Sequence, residues 1–311
     1  MMSAFRRDLM TVCALGAALV VGGFVGSNYM LGVLVLFGMT SILVLSYRTI
    51  TTMGGWSFAH IAIMGIGGYS VAILSKPPFG LPVLVATVAG GLFAALFAAL
   101  LSYPVLRTRQ YYFFLSTFAA GEALRQCFIQ FREITGGTSG IAFIERPEIL
   151  PNPSSTLEFL CLVAAVLVLL GIFYASLDAS DAGLKIKAVG EDEALSSSIG
   201  IDAWALRALA FILGSFGAGI AGGLFATYNG IVSPSDINAM LMFKVVAACV
   251  IGGTTRFSGP ILGLLFLTLI EEIFRFVPEF VPMIWGVFVI IAILFGQWAR
   301  GRLMVWRAKN A

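Results

Sequence analysis

Residues 204–227 read WALRALAFILGSFGAGIAGGLFAT, with Arg207 as the only charged residue in the run. A helix needs about 20 mostly apolar residues to cross the hydrocarbon core of a bilayer, so this stretch is long enough to span a membrane. Glycine recurs along it, most densely between Gly217 and Gly223. Small residues at such positions let neighbouring membrane helices approach closely. The stretch therefore predicts a membrane protein built from packed helices.

The composition of the whole chain agrees with this prediction. Its 311 residues are 59% hydrophobic and only 11% charged, and the mean hydropathy is +0.98. A soluble domain of this size needs a far more polar surface, so membrane lipid is the expected solvent for most of the protein. The net charge is +3 and the basic residues are scattered, so no nucleic-acid partner is expected.

Ten apolar runs are predicted as transmembrane helices. They lie at about 9–27, 29–47, 56–75, 80–103, 110–130, 156–176, 204–227, 239–253, 258–276 and 281–299. The first lacks an A-x-A cleavage site and is interpreted as a membrane helix rather than a signal peptide. The third is doubtful because its glycines also suit a broken or re-entrant segment, and the eighth because it is short and carries Lys244. The predicted fold class is all-α, a polytopic transmembrane bundle of about ten spans (eight to ten) in one domain over residues 1–311.

The lysines and arginines predict the orientation of these spans, because cytoplasmic loops carry an excess of both. With the N-terminus inside, 13 of the 19 fall on the cytoplasmic side and four fall outside. The cytoplasmic set is Arg6, Arg7, Arg48, Arg107, Arg109, Lys185, Lys187, Arg207, Arg256, Arg300, Arg302, Arg307 and Lys309; the outer set is Lys76, Arg132, Arg146 and Arg275. Both termini are therefore predicted in the cytoplasm, and the polar loop at about 177–203 is predicted on the same side.

Within this loop, residues 188–201 read AVGEDEALSSSIGI. Gly190 is expected to break the preceding structure, and the acids Glu191, Asp192 and Glu193 favour the positive end of a helix. Gly200 is expected to end that helix. The result is a short cytoplasmic helix with an apolar edge at Ala194, Leu195 and Ile199, which suits a groove on a soluble partner. An ordinary solvated loop is the alternative.

These residues resemble the coupling loop of the permeases of ABC importers for branched-chain amino acids, and the M-type subunit fits better than the H-type. Further blocks carry the resemblance over most of residues 50–275: SFAHIA at 57–62 with Gly65, Gly67, Gly68 and Tyr69, GEALR at 121–125, TGGTSG at 135–140, GAGIAGGLFA at 217–226, Ser233-Pro234, and VIGGT at 250–254 with Gly259, Pro260 and Gly263. One departure is Gly190, where family members often have a basic residue.

The resemblance implies a permease subunit in a bacterial inner membrane, with four kinds of partner. These are a second, LivH-like permease, two ATP-binding subunits, a periplasmic solute-binding protein and membrane lipid. No Walker A motif is present in the sequence, so ATP is expected to bind only to the partner subunits, and neither enzymatic activity nor a cofactor is expected in this chain. Glu191, Asp192, Glu193, Ala194 and Gly200 are the expected contacts to the ATPase. The substrate stays open between branched-chain amino acids, urea, short amides and aromatic acids.

Two glycine-rich helices are predicted to form the translocation pathway. The residues assigned to it are Ser57, Gly65, Gly67, Gly68 and Tyr69 in the third span, and Gly217, Gly219 and Gly222 in the seventh. Glycines permit unwound backbone at membrane depth, where transporter sites are often built. Simple glycine packing between helices is the alternative, and His60 is interpreted as a packing residue rather than a gate.

Three charged residues, Glu122, Arg125 and Lys244, are assigned to the membrane interior. Glu122 and Arg125 are three positions apart on one helix and are expected to form a structural ion pair, since an unpaired charge at the bilayer centre costs roughly 2.5–3.5 kcal/mol. Lys244 could reach Glu271 or Glu272 in the following helix; the alternative is that these acids lie at the external interface. No metal site is expected, because the four cysteines Cys13, Cys127, Cys161 and Cys249 lie in apolar runs without metal-type spacing.

The sequence offers two rival functions. Gly137-Thr138-Ser139-Gly140 has the GxSG form of an intramembrane serine protease, but such chemistry needs a histidine beside the serine. The single histidine, His60, is predicted near the opposite membrane face. An ion-coupled secondary transporter or a channel is the stronger rival, and it would need no cytoplasmic coupling helix.

The predicted topology can be tested by labelling. In a variant without the native cysteines, a cysteine at Thr138 should react with an impermeant maleimide added outside intact cells, because the loop is external. A cysteine at Ser197 should stay unlabelled until the cells are permeabilised. Labelling of Ser197 in intact cells would reject this map.

Overall fold

The computed structural model describes residues 2–108, 111–147, 156–292 and 294, and these residues are mostly helical. In chain order the helices are α1 Met2–Val25, α2 Asn28–Thr52, α3 His60–Leu74, α4 Val83–Val105, α5 Tyr111–Gln130, α6 Arg132–Thr135, α7 Thr156–Ala179, α8 Asp181–Glu191, α9 Glu193–Ser198, α10 Ala203–Asn229, α11 Ala239–Gly252, α12 Gly259–Ile273 and α13 Val281–Ala292. Two short strands, β1 Ile141–Ala142 and β2 Ile231–Val232, form one antiparallel pair. The predicted tenth span is described as far as Ala292 and at residue 294. Five basic residues used for the orientation lie outside the described residues: Arg109, Arg300, Arg302, Arg307 and Lys309.

The all-helical, polytopic fold class is confirmed. Five described helices are long and apolar enough to cross a membrane: α1 from Phe5, α2, α4, α7 and α10. The helices α3, α11 and α13 are apolar but shorter, while α5 has 20 residues and carries Glu122 and Arg125. The total of ten spans therefore stays a prediction.

The third predicted span is helical only from His60, because residues 53–59 are not in a helix. His60 Nε2 lies 3.0 Å from Ser46 Oγ, and Ser46 precedes the end of α2 by six residues. At 1.5 Å per residue, α3 therefore begins about 9 Å inside the bundle. Non-helical backbone is tolerated at such depth when protein covers it. Ser57 is fully buried, and the Phe58 N–H donates to Thr117 Oγ1 at 3.0 Å.

The helix α10 lies at the centre of the bundle and packs against α2, α3 and α4. Glycines make the closest contacts: a methyl group added at Gly67 of α3 would overlap the carbonyl of Gly219, and one added at Gly222 would overlap the carbonyl of Met64. A methyl group at Gly90 of α4 would lie 2.8 Å from the Gly67 oxygen. The three backbones thus touch without side chains between them, as glycine allows in membrane bundles.

The loops are sorted to two ends of the bundle. At the strand end, β1 pairs with β2, and Lys76 Nζ donates to the Ala142 carbonyl at 2.5 Å. At the Arg48 end, Arg48 forms an ion pair with Asp178. The loops predicted outside lie at the strand end, and those predicted in the cytoplasm lie at the Arg48 end. The assignment of the Arg48 end to the cytoplasm stays a prediction.

The glycine contacts predict the effect of a single methyl group. The substitution Gly67→Ala should lower the melting temperature of the purified permease in detergent, because overpacking a tight contact typically costs about 1–3 kcal/mol and the contacted atoms are backbone. Gly286→Ala is the matched control, since no atom lies within 4 Å of its added methyl group. Equal melting temperatures for the two variants would show that the α3–α10 contact does not limit stability.

Candidate functional site

The predicted coupling segment forms two helices rather than one. The helix α8 begins after Ser180, whose Oγ accepts the Gly183 N–H at 3.1 Å, and it continues through Gly190 to Glu191. The expectation that Gly190 breaks the helix is wrong. A side chain at Gly190 would overlap the carbonyl of Thr52 at the end of α2, so this glycine instead permits close packing of α8 on α2.

The second helix, α9, begins where the acids predicted a start. Asp192 is its N-cap, and its Oδ1 accepts the Leu195 N–H at 2.9 Å. Gly200 follows α9 with φ +84°, a conformation that glycine adopts without strain. Asp192 and Glu191 are exposed.

The apolar edge of α9 faces away from the bundle, as the sequence predicts. Leu195 is 63% exposed and Ile199 is 71% exposed, and Ala194 is exposed beside them. Glu193 has a partner within the chain, because its Oε2 lies 3.5 Å from Nη1 of Arg207 on α10. The part of α9 that is available to a partner protein is therefore mainly its apolar edge.

A buried cluster beneath these helices was not identified as a site from the sequence, where Arg48 counted only toward orientation. Arg48 is 1% exposed; its Nη2 lies 2.7 Å from Asp178 Oδ2, and its Nε donates to the Thr254 carbonyl at 3.2 Å. Lys187 Nζ of α8 lies 3.0 Å from the same Asp178 oxygen. The Arg48 cluster (Arg48, Asp178, Lys187 and Thr254) thus joins α2, the end of α7, α8 and the α11–α12 turn. The sequence held one signal for this cluster: its residues all lie next to the ends of predicted spans, or in loops, on the predicted cytoplasmic side.

A cavity of about 240 Å³ opens between α3, α10, α11 and β2, toward the strand end. It is called the outer cavity here, and its lining residues are Met64, Gly65, Gly68, Gly222, Phe225, Ala226, Asn229, Ile231, Val232, Asp236, Ile237, Asn238 and Leu241. Most of the lining is apolar, and the polar side chains come from Asn229 at the end of α10 and from Asp236 and Asn238 in the segment after it.

The residues predicted for the pathway fall into two groups. Gly65, Gly68 and Gly222 line the outer cavity. Gly67 and Gly219 pack backbone to backbone, and Gly217 lies against Tyr174 and Ser46. Ser57 and Tyr69 are buried, and the Tyr69 ring stacks on Phe128 with 4.4 Å between centroids. The contacts of the second group are those of helix packing, and the pathway role itself stays a prediction.

The three charged residues assigned to the membrane interior each have a partner. Arg125 donates to both carboxylate oxygens of Glu122, at 2.8 and 2.6 Å, and Lys244 Nζ lies 2.5 Å from Glu271 Oε2. The Glu122–Arg125 pair borders a smaller cavity of about 70 Å³ between α3, α5 and α11. Both side chains remain partly exposed, at 45% and 30%, so this face of α5 is not covered by the rest of the described chain.

Neither the protease hypothesis nor a metal site gains support from the geometry. The Nε2 atom of His60 contacts Ser46, whereas Ser139 lies in a 3-10 turn after α6, near β1. Among the residues that the structure describes, no group of three or more histidine, cysteine, aspartate or glutamate side chains is arranged to hold a metal ion.

Comparisons with known proteins agree with this architecture. A family model described as branched-chain amino acid transport system / permease component matches residues 29–296. The high-affinity branched-chain amino acid transport system permease protein LivM of Escherichia coli K12 is 30% identical over 304 residues, which cover 90% of this chain and 66% of that protein. LivM of Salmonella typhimurium LT2 is 29% identical over the same shares.

A more distant relative has a different name. The autoinducer 2 import system permease protein LsrC of an Enterobacter strain is 33% identical over 141 residues, which cover 42% of this chain and 39% of that protein. No solved structure matches the chain significantly. This chain spans slightly less than two thirds of the length of the LivM proteins. The family match covers most of the chain, and the protein therefore belongs to the permease component family of branched-chain amino acid transport systems.

Proposed function

We propose that this protein is a transmembrane subunit of an ABC importer, which moves a small solute inward across a bacterial inner membrane with ATP hydrolysed by separate subunits. One observation carries the proposal: the helix pair α8–α9 presents an exposed apolar edge while its other side packs on the membrane bundle. The complete importer would contain a second permease, two ATP-binding subunits and an external solute-binding protein.

An ATPase dimer in the cytoplasm shifts the permease only through contacts that differ between the two states. Leu195 and Ile199 offer apolar area for a groove on a soluble partner. An ion-coupled transporter or a channel would not need such a surface, so α8–α9 favours the importer over these alternatives.

The contacts behind α8–α9 support a route into the membrane. Gly190 touches the α2–α3 turn at Thr52 and Gly54, which leads directly into the interrupted third span. The Arg48 cluster joins α8 to the α11–α12 turn as well. With the Arg48 end in the cytoplasm, as proposed, movement of α8 would act on two separate membrane elements. These are the α2–α3 turn and the α11–α12 turn.

The outer cavity supports a refined pathway. Gly65, Gly68 and Gly222 would form its wall, and Gly67, Gly217 and Gly219 would hold the helices together behind it. The relatives' names point to branched-chain amino acids for LivM and to autoinducer 2 for LsrC. The closer relatives favour an amino acid for this chain.

The exposed edge of α9 provides the first test. Leu195→Asp should reduce ATP-driven uptake by the reconstituted importer at least about tenfold, because a charge in an apolar groove is left without a partner. The permease should still fold, since Leu195 is largely exposed. Lys185→Ala on α8 is the control. Among the ion pairs of the described residues, Lys185 Nζ contacts only Asp181, which is exposed. Full uptake by Leu195→Asp would remove α9 from the ATPase interface.

The Arg48 cluster provides the second test. Removing one partner of a buried ion pair costs roughly 3–5 kcal/mol, so Arg48→Met should lower the melting temperature of the permease and Lys185→Ala should not. Arg48→Lys keeps the charge but cannot reproduce both directed contacts, to Asp178 and to the Thr254 carbonyl. The importer assembled with Arg48→Lys should therefore retain basal ATP hydrolysis while losing most of the stimulation by loaded binding protein. Unchanged stimulation in Arg48→Lys would leave the cluster a purely structural role.

A further inference from the structure

We propose that the exposed face of α5 is the surface through which this chain binds a second, membrane-embedded permease subunit. This surface, the α5 face, comprises Phe118, Glu122, Arg125 and Gln126 of α5 together with Phe243 of α11. The inference rests on the proposed function, because it assigns a surface of this chain to the second permease of the importer. Its observations are the depth of a charged pair, the incomplete hydrogen bonding of Arg125 and a recess beside both.

The charged pair of the α5 face lies deep in the membrane. The predicted span α5 has 20 residues, which extend over about 30 Å, the thickness of the hydrocarbon core. Glu122 is the twelfth of these residues, so Glu122 and Arg125 lie near the middle of the core. The exposed side chains in the middle of α4 are Leu92, Phe93 and Leu96, which suit contact with lipid. The exposed face of α5 is different, because it carries charge at this depth.

Arg125 is only partly satisfied within its own chain. A guanidinium group carries five N–H donors, and two of those in Arg125 bond Glu122, from Nε at 2.8 Å and from Nη2 at 2.6 Å. Gln126 Nε2 also donates to Glu122, at 2.8 Å. Within the described chain, no oxygen accepts a hydrogen bond from the remaining donors of Arg125. Acceptors for these donors must therefore come from outside the described chain.

Lipid cannot supply these acceptors at mid-membrane. Acyl chains carry no hydrogen-bonding groups, and an unsatisfied polar group in the hydrocarbon core is strongly unfavourable. Charged residues in membrane helices accordingly face other protein or a water-filled cavity. Water could reach the α5 face only within a space that a further chain separates from lipid. Both solutions require a second membrane protein over Arg125.

A recess gives such a protein a place to insert a side chain. The cavity of about 70 Å³ beside the charged pair is too small for a separate ligand of the usual 300–1,000 Å³, but it admits one side chain. Phe118 lines this cavity, and Phe243 packs on Phe58, another lining residue, with 5.6 Å between ring centroids. Phe118 and Phe243 stay about half exposed. Aromatic rings around a buried polar centre are typical of protein interfaces.

The charge of the α5 face favours a different chain over a second copy of this one. Closed pairs of identical subunits have two-fold symmetry, and in one membrane the axis lies along the membrane normal. Equal depths then face each other, so Arg125 of one copy would lie at the depth of Arg125 of the other. A related but non-identical permease can present an acceptor oxygen at that depth. The ATP-binding subunits and the solute-binding protein lie outside the membrane and cannot reach it.

Photo-crosslinking in the assembled importer tests the surface directly. The photoreactive residue p-benzoylphenylalanine replaces Phe118 in one variant and Phe93 of α4 in the matched control, since these phenylalanines are 46% and 48% exposed. On irradiation in nanodiscs, the probe at position 118 should form an adduct with the second permease, identified by its tag and its peptide masses. The probe at position 93 should react with lipid alone. Lipid adducts alone at position 118, or adducts with a second copy of this chain, would overturn the inference.

A variant without the two charges tests the contribution of the pair. Glu122→Gln combined with Arg125→Met leaves no lone charge in the membrane. The Kd of this variant for the second permease in detergent should rise at least about tenfold, because truncating an arginine at the centre of an interface commonly has an effect of this size. Asp181→Asn combined with Lys185→Met is the matched control. It removes another ion pair within one helix, with 2.6 Å between Nζ and Oδ2, but on α8 at the Arg48 end.

Equal Kd values for the two double variants would contradict the assignment of the charged pair to the interface. A melting temperature of the α5 variant below that of the wild type would indicate a folding defect, and the adduct at position 118 then decides.

The outcomes separate this inference from the proposed function. ATP-driven uptake together with lipid adducts alone at position 118 would leave the importer and remove the surface. An adduct between position 118 and the second permease, without ATP-driven uptake, would leave the surface and remove the proposed function.

Discussion

The fold depends on backbone contact between three glycine-bearing helices, α3, α4 and α10. Lipid chains are as apolar as leucine, so burial of apolar surface does not drive membrane helices together, and close packing must do so instead. At Gly67 and Gly219 the two helices touch without intervening side chains. This contact fixes the depth of α3. The non-helical segment before α3 is covered in part by α5, where Phe113 lies against Gly55 and Thr117 accepts the Phe58 N–H.

The Arg48 end is organised by a second constraint, the burial of a charge. Burying an arginine is costly unless its charge and its hydrogen-bond donors are satisfied. Arg48 meets this condition through Asp178 and the Thr254 carbonyl, so the ends of α2 and α7 and the α11–α12 turn must stay together. Lys187 shares the same carboxylate, and this ties α8 to the cluster. The cost of burial thus becomes a mechanical connection between the surface helices and the bundle.

The sequence predicted the parts of this structure that depend on local pattern. Hydropathy located the helices, and the helix-starting role of Asp192 followed from the acids at 191–193. It failed at Gly190, because a glycine that ends a helix and one that permits a close tertiary contact look alike in the sequence, and only the contact with Thr52 distinguishes them. The Arg48 cluster was missed for a related reason. Arg48 and Thr254 are 206 positions apart, and no local pattern indicates that the ends of two distant spans meet. The outer cavity likewise depends on packing between four elements.

Glycine has two opposite uses in this bundle: it closes one helix contact and keeps a cavity open. Gly67 and Gly219 close the α3–α10 contact, while Gly65 and Gly68, on the same helix, leave the outer cavity open. Gly190 contacts Thr52 and Gly54, and residues 53–59 lead from there to the start of α3 at His60. This segment and α3 thus connect α8 to the cavity wall. Packed interfaces shift as units rather than deforming gradually. A displacement of α8 would therefore move α3 as a body, and the wall at Gly65 and Gly68 would move against Asp236 and Ile237, which belong to the turn after α10.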